Sequence, residues 1–199
     1  MTYYYTADWF SGAIPVWEQI LKHLKDTPCS VLEIGSYQGR SAVWLLENIL
    51  THDDARITCV DTFEGSEEHN EDLKLNLYQI FEQNVIKNFG SKVTAMKGMS
   101  GDMLRELKTK EAFDMIYVDG AHYSANVMED AVLSFPLLKT GGIMIFDDFG
   151  FTRNPEDPKD IYNPHNCYTG ICGFINAYAP YIEIIHQGWQ IAIRKLKNH

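Results

Sequence analysis

The sequence predicts an α/β fold, a mostly parallel sheet wound on both faces with helices and closed by an antiparallel C-terminal hairpin. Three observations predict it. Short apolar runs alternate along the chain with stretches of helical periodicity. The runs are near-continuous in Val, Ile, Leu and Met, as strands buried on both faces are. The last two runs are separated by only His186-Gln187-Gly188-Trp189, a spacing that suits a hairpin.

In chain order, Ile14, Trp17, Ile20, Leu21 and Leu24 recur at helical spacing, which predicts a helix over 13–25 packed on the sheet edge. Ser30-Val31-Leu32-Glu33-Ile34-Gly35 is the first predicted strand and 41–50 the helix after it. The second strand is 56–61. A long helix over 67–89 follows, with Leu73, Leu77, Phe81 and Val85 four apart. Residues 92–96 form the third strand, 101–107 a helix, 113–119 the fourth strand, 125–139 a helix and 142–147 the fifth strand. Strand, helix, strand in this order requires right-handed crossovers and so a parallel sheet. The polar stretch 152–166 carries Pro155, Pro158 and Pro164 and reads as a loop. A helix over 170–179 leads to the hairpin strands 181–185 and 190–194. The whole chain, 1–199, reads as one domain with an N-terminal helical extension over 1–29.

The 199 residues carry 17 Lys and Arg against 27 Asp and Glu, a formal charge of −10. This acidic balance argues against nucleic-acid binding, which draws on clustered basic residues. No apolar run is long enough to span a bilayer, and Met1-Thr2-Tyr3-Tyr4-Tyr5 lacks the basic and apolar regions of a signal peptide, so a cytoplasmic location is expected. Cys29, Cys59, Cys167 and Cys172 form no CxxC pair and are expected as free thiols. Trp9, Phe10 and Tyr3-Tyr4-Tyr5 are read as exposed, pointing either to a homodimer contact or to packing on their own domain.

Three constellations could carry chemistry. Glu33-Ile34-Gly35-Ser36-Tyr37-Gln38-Gly39-Arg40-Ser41 places a glycine-bearing turn at a helix N-terminus, where free N–H groups favour an anionic or polar ligand. It lacks the full GxGxxG spacing of dinucleotide binders, and a tight turn without a ligand would also explain it. Asp61 ends the second strand, where an acid can accept ribose hydroxyls, although a turn cap fits there too. Asp119-Gly120-Ala121-His122 and Asp147-Asp148 end the fourth and fifth strands, which neighbour each other in a parallel sheet. Three carboxylates converging on the ligand crevice either raise one another's pKa or recruit a cation, with Mg²⁺ the best match and Ca²⁺ or Mn²⁺ as competitors. Capping of the next elements is the alternative.

Taken together, residues 31–39, Val60-Asp61-Thr62-Phe63, 114–122, Pro136-Leu137-Leu138-Lys139-Thr140-Gly141-Gly142 and Phe146-Asp147-Asp148 resemble the class I S-adenosylmethionine-dependent methyltransferases. The nearest likeness is to the methyltransferase domain 24 branch, similar to macrocin-type sugar and, more distantly, catechol O-methyltransferases. The resemblance implies a Rossmann-like doubly wound sheet with the last strand inserted antiparallel. It implies that Glu33, Gly35, Ser36 and Gly39 surround the methionine part of the cofactor, that Asp61 holds its ribose, and that Met99 and Ser100 flank its adenine. Asp119, Asp147 and Asp148 match the positions where metal-dependent members hold Mg²⁺, and Asp119 would serve cofactor, metal and catalysis together. His122 falls at the position of the catechol enzymes' lysine base. Catechol enzymes carry Asn at the last metal position, and the sugar-methylating relatives an Asp where this chain has Ala121.

The resemblance implies methyl transfer to a hydroxyl of a small-molecule acceptor, with His122 taking the proton and residues 149–168 covering the crevice as a lid. Phe151, Tyr162 and Tyr168 are then candidates for stacking on the acceptor. Three competing functions stand beside it: a non-catalytic regulatory module binding an adenosyl ligand or metal, a nicotinamide-dependent oxidoreductase, and a metal-dependent hydrolase using the three aspartates.

Overall fold

The computed structural model describes residues 2–65, 71–150, 159 and 163–199. Seven strands are present, β1 (Ser30–Ile34), β2 (Arg56–Asp61), β3 (Val93–Lys97), β4 (Phe113–Val118), β5 (Leu138–Phe146), β6 (Ile182–Gln187) and β7 (Ile191–Lys195). Their order is β3-β2-β1-β4-β5-β7-β6. β1 with β2, β2 with β3 and β4 with β5 pair parallel, whereas β7 pairs antiparallel with both β5 and β6. This is the predicted Rossmann-like arrangement with its C-terminal hairpin. The helices are α1 (Ile14–Leu21), α2 (Arg40–Asn48), α3 (Glu71–Phe81), α4 (Lys87–Phe89), α5 (Ser100–Glu106), α6 (Ser124–Ser134) and α7 (Cys167–Tyr178). No helix among the described residues is long and apolar enough to cross a membrane.

The chain divides into two compact units, Met1–Met99 and Ser100–His199. In the first, Val31, Leu32 and Ile34 of β1 are buried, and so is nearly the whole of α2 from Ser41 to Leu46. α1 is shorter than its periodicity predicts and ends at Leu21. Its Trp17, fully buried, meets Trp44 of α2 edge-on at 5.9 Å and Phe10 at 4.8 Å. Burial of a side chain of this size contributes upwards of about 2 kcal/mol. Phe10 is therefore a core residue, not the exposed aromatic expected from the sequence, while Trp9 beside it is 68% exposed. The predicted long helix is broken into α3, a π turn over Glu82–Ile86 and α4. Lys92 ends this segment by donating to the carbonyls of Leu50, Thr51 and His52 just beyond α2.

In the second unit, α6 stops at Ser134, five residues before the predicted end. Pro136 explains the difference: it has no N–H to continue the helix, and the chain passes through a short 3-10 turn over Phe135–Leu137. β5 consequently starts at Leu138, earlier than the predicted 142. Phe135, Phe146, Phe174 and Tyr178 form an aromatic cluster, with Phe174 and Tyr178 stacked at 4.4 Å. The buried Lys195 reaches the same place, donating to Phe135 O and Leu138 O with its ammonium 4.7 Å from the Phe135 ring.

α7 is capped by Asn166, whose side chain accepts from Thr169 N at 3.2 Å. It lies so close to the start of α6 that a Cβ on Gly170 would stand 2.1 Å from Ser124 O. Ser124 N donates to Pro164 O, and its hydroxyl donates to Asn166 O. Gly170→Ala should therefore push α7 off α6 and cost about 1–3 kcal/mol, read as a lowered thermal unfolding midpoint.

Candidate functional site

In the first unit the site is the turn from β1 into α2. Its course needs left-handed backbone at Gly35 (φ 87), Tyr37 (φ 47) and Gly39 (φ 82). Gly39 is required twice over, since a Cβ there would lie 2.2 Å from the Val85 side chain. Asp61, at the end of β2, holds the turn: its Oδ2 accepts from Ser36 N and Tyr37 N at 2.8 Å each, and its Oδ1 accepts from Phe63 N at 2.6 Å. A carboxylate offers about four acceptor positions, so three are committed to the main chain. Gly98 N bonds Asp61 O at 3.0 Å, which brings the end of β3 to the same place and sets Met99, 57% exposed, just beyond it.

Beneath the turn Glu33 is completely buried. Ser41 donates to its Oε1 at 2.6 Å, and Ser36 and Cys59 also face it. Burial dominates these contacts and pushes its carboxyl from the ordinary 4.5 up to about 7.

In the second unit the site is built at the ends of β4 and β5. Tyr117, two residues before Asp119, has its hydroxyl 3.0 Å from Asp119 Oδ2 and 2.6 Å from Asp147 Oδ2, and it accepts from Gln190 Nε2 at 3.3 Å. Burial and the two carboxylates hold the Tyr117 hydroxyl protonated far above its ordinary range. Asp148 N donates to Asp147 Oδ1 at 2.9 Å, and Asp148 itself adopts a left-handed φ of 55°. His122 Nε2 stands 3.3 Å from Asp148 Oδ2, on a side chain 52% exposed. One ligand atom each from Asp119, His122 and Asp148 falls within 4.8 Å of the others. Burial, then the charges of Asp148 and Asp119, push the neighbouring Cys167 up to about 12, so it stays a thiol.

The Methyltransf_24 family model, described as a methyltransferase domain, matches residues 32–149, a span that contains both constellations. The chain belongs to this methyltransferase family. It is a class I S-adenosylmethionine-dependent methyltransferase domain, as its motifs imply. No curated protein sequence matches it. Among solved structures it is similar to an O-methyltransferase from Bacillus cereus in complex with S-adenosylhomocysteine, at 21% identity and a TM-score of 0.68, over 96% of this chain and 84% of that one. It is also similar to TomG of Streptomyces achromogenes, an O-methyltransferase of tomaymycin synthesis in complex with S-adenosylmethionine (17%, 0.63, 95% and 82%). A third is MycE of the mycinamycin biosynthetic pathway, in complex with Mg, S-adenosylhomocysteine and mycinamycin VI (15%, 0.62, 95% and 50%).

Within this methyltransferase fold, Glu33, Gly35, Ser36, Gly39 and Asp61 come together as one turn and its support. Ser100 opens α5 and its hydroxyl faces Asp130. Asp119 and Asp148 come together, and His122 stands with them. Asp147 is turned to Tyr117 and to the Asp148 main chain. The predicted lid falls mostly outside the described residues, Phe151 and Tyr162 among them. Its last residue, Tyr168, lies in α7 with its ring 4.9 Å from that of Phe149.

Tyr117 and Gln190 escaped the sequence reading. Tyr117 could have been found, because residues two apart on a strand share a face and so point the same way as Asp119. Gln190 carries no local signal, since only the hairpin's return beside β5 brings it near.

Glu33 yields a pH-dependent prediction. Its folded value of about 7 lies above the ordinary 4.5, so the folded chain keeps a proton that the unfolded chain releases. Its contribution to stability is intact below 4.5 and drains away as pH rises through 7. Glu33→Gln should raise the thermal midpoint at pH 8, and the gain should shrink to nothing by about pH 4. A pH-independent difference would show that burial of the charge is not what Glu33 costs.

Proposed function

We propose that the chain transfers a methyl group from S-adenosylmethionine to a hydroxyl of a small-molecule acceptor, with a divalent cation held by Asp119 and Asp148. The observation that carries this reading is the convergence of Asp119, His122 and Asp148 within 4.8 Å at adjoining strand ends. Two carboxylates beside an imidazole fit Mg²⁺ or Mn²⁺, and the MycE complex holds Mg with its cofactor product. The first unit fits the cofactor for a different reason: its turn is held open by Asp61, with one acceptor position of the carboxylate left for a ribose hydroxyl, and Glu33, Gly35, Ser36 and Gly39 bound the methionine end. Met99 and Ser100 are proposed beside the adenine.

When bound, the cofactor supplies an activated sulfonium methyl and the cation supplies Lewis-acid polarisation of the acceptor oxygen. The protein's own work is positioning and proton handling. Asp119 and Asp148 concentrate negative charge. Asp147, hydrogen-bonded to Tyr117 and to the Asp148 main chain, stands beside the group and adds to its negative charge. His122 takes the acceptor's proton at the ring nitrogen not facing Asp148, whose carboxylate at 3.3 Å orients the imidazole and steadies its charge. The ligand-atom spacing also favours a second reading, in which His122 is the third cation ligand.

Titration calorimetry with S-adenosylmethionine, with and without Mg²⁺ and with NAD⁺ as control, tests the core of the proposal. Binding of the adenosyl cofactor but not NAD⁺, followed by S-adenosylhomocysteine release with hydroxylated acceptors, is the expected result. Binding without turnover on any acceptor would leave a regulatory module. Asp61→Ala should weaken cofactor binding and spare the cation, and Asp148→Asn should cut Mn²⁺ affinity by roughly tenfold or more while sparing the cofactor. His122→Ala separates the two readings. Retained Mn²⁺ affinity with loss of the acidic limb of the pH–rate profile makes it the base, and lost affinity makes it a ligand.

A further inference from the structure

Residues 4–11 reach the β1–α2 turn through hydrogen bonds, an ion pair and ring contacts. Tyr4 N donates to Asn84 Oδ1 at 3.0 Å, and Asn84 Nδ2 donates to Tyr4 O at 2.8 Å, a reciprocal pair spanning 80 residues of chain. The same Nδ2 donates to Gln38 O at 2.9 Å. Thr6 N donates to Gln38 Oε1 at 2.8 Å, and the Thr6 hydroxyl lies 3.2 Å from that of Tyr37. The Trp9 and Tyr37 rings are 5.4 Å apart. Arg40 donates to Ser11 Oγ at 2.6 Å, lies 3.5 Å from Asp8, and has its guanidinium 5.5 Å from the Tyr5 ring. Three of the four turn residues from Tyr37 to Arg40 are thus held by residues 4–11.

Asn84 makes this possible because of where it stands. It sits inside the π turn, and Val85, its neighbour, is the side chain pressed against Gly39. A π turn inserts one residue into the helical repeat and re-aims those around it, an arrangement that recurs at functional sites. Here it sends a buried amide with both of its Nδ2 hydrogens and its oxygen committed to the N-terminal segment and the turn. The Nε2 of Gln38 is itself buried without a hydrogen-bond partner, so a donor in the turn awaits an acceptor.

We infer that residues 4–11 form a strap that holds the β1–α2 turn in its cofactor-binding shape, and that Asn84 is the positioning residue joining strap to turn. The inference rests on the proposal that this turn receives S-adenosylmethionine. A strap of this kind makes cofactor affinity depend on main-chain bonds to a segment that need not touch the cofactor. Asn84→Ser removes all three bonds from the turn's side. Thr6→Pro removes the N–H that Gln38 accepts and alters an exposed residue, so it tests the same link without opening the core.

The experiment measures S-adenosylmethionine affinity by calorimetry and amide hydrogen exchange over residues 36–40 for the wild-type chain and both variants, with thermal melting alongside. About tenfold weaker binding and faster exchange at 36–40 are expected in both variants. Unchanged affinity and exchange beside wild-type binding would overturn the strap, and so would a lowered melting temperature with affinity unmoved, which marks Asn84 as merely structural. Failure of the wild-type chain to bind the cofactor would instead strike the proposed function itself.

Discussion

The carboxylate of Asp61 is the constraint on which the first half of the molecule depends. A chain leaving β1 and entering α2 through left-handed residues has main-chain N–H groups that no helix or strand satisfies. Asp61 takes two of them, at Ser36 and Tyr37, and a third at Phe63 behind it. Because Asp61 belongs to β2, the parallel pairing of β1 with β2 sets the shape of the turn. The sheet register and the shape of the turn are therefore one structural decision: a slip of one residue would move the carboxylate to the other face.

The second half solves an opposite problem. Asp119, Asp147 and Asp148 bring three acids to two strand ends, and their mutual repulsion has to be offset without discarding the charge. The named partners of Asp147 are neutral: a tyrosine hydroxyl and a peptide N–H. A lysine or arginine there would cancel the negative charge gathered at the strand ends. The single hydroxyl proton of Tyr117 lies within reach of two carboxylates, so it ties them together while leaving the net charge unchanged.

Much of this was legible in the sequence for a definite reason. Strands buried on both faces cannot afford polar residues, so β1, β2, β4 and β5 announce themselves as apolar runs, and the acids that end them mark the site. What the sequence concealed was set by contacts between distant segments. Phe10 looks like a surface aromatic beside Trp9, yet it is buried because Trp17 and Trp44 converge on it. The π turn interrupts a run of apolar residues four apart that by itself promises an unbroken helix. Nor does any spacing rule contain the Tyr117 hydroxyl 2.6 Å from Asp147 or His122 standing 3.3 Å from Asp148.

The two constellations also divide the chemistry in a way that follows from their surroundings. Around Glu33 the interior is dry enough to push a carboxyl to about 7, so the turn holds a group that is neutral for part of the physiological range. Such a site suits orientation of a bound molecule by main-chain hydrogen bonds rather than by charge. At Asp119 and Asp148 the half-exposed His122 and the acids beside it stay open to water, which suits proton transfer and cation exchange. The proposed function thus places positioning at the largely buried turn and proton handling at the wetter strand ends, a separation that suits a transfer reaction with little covalent participation by the protein.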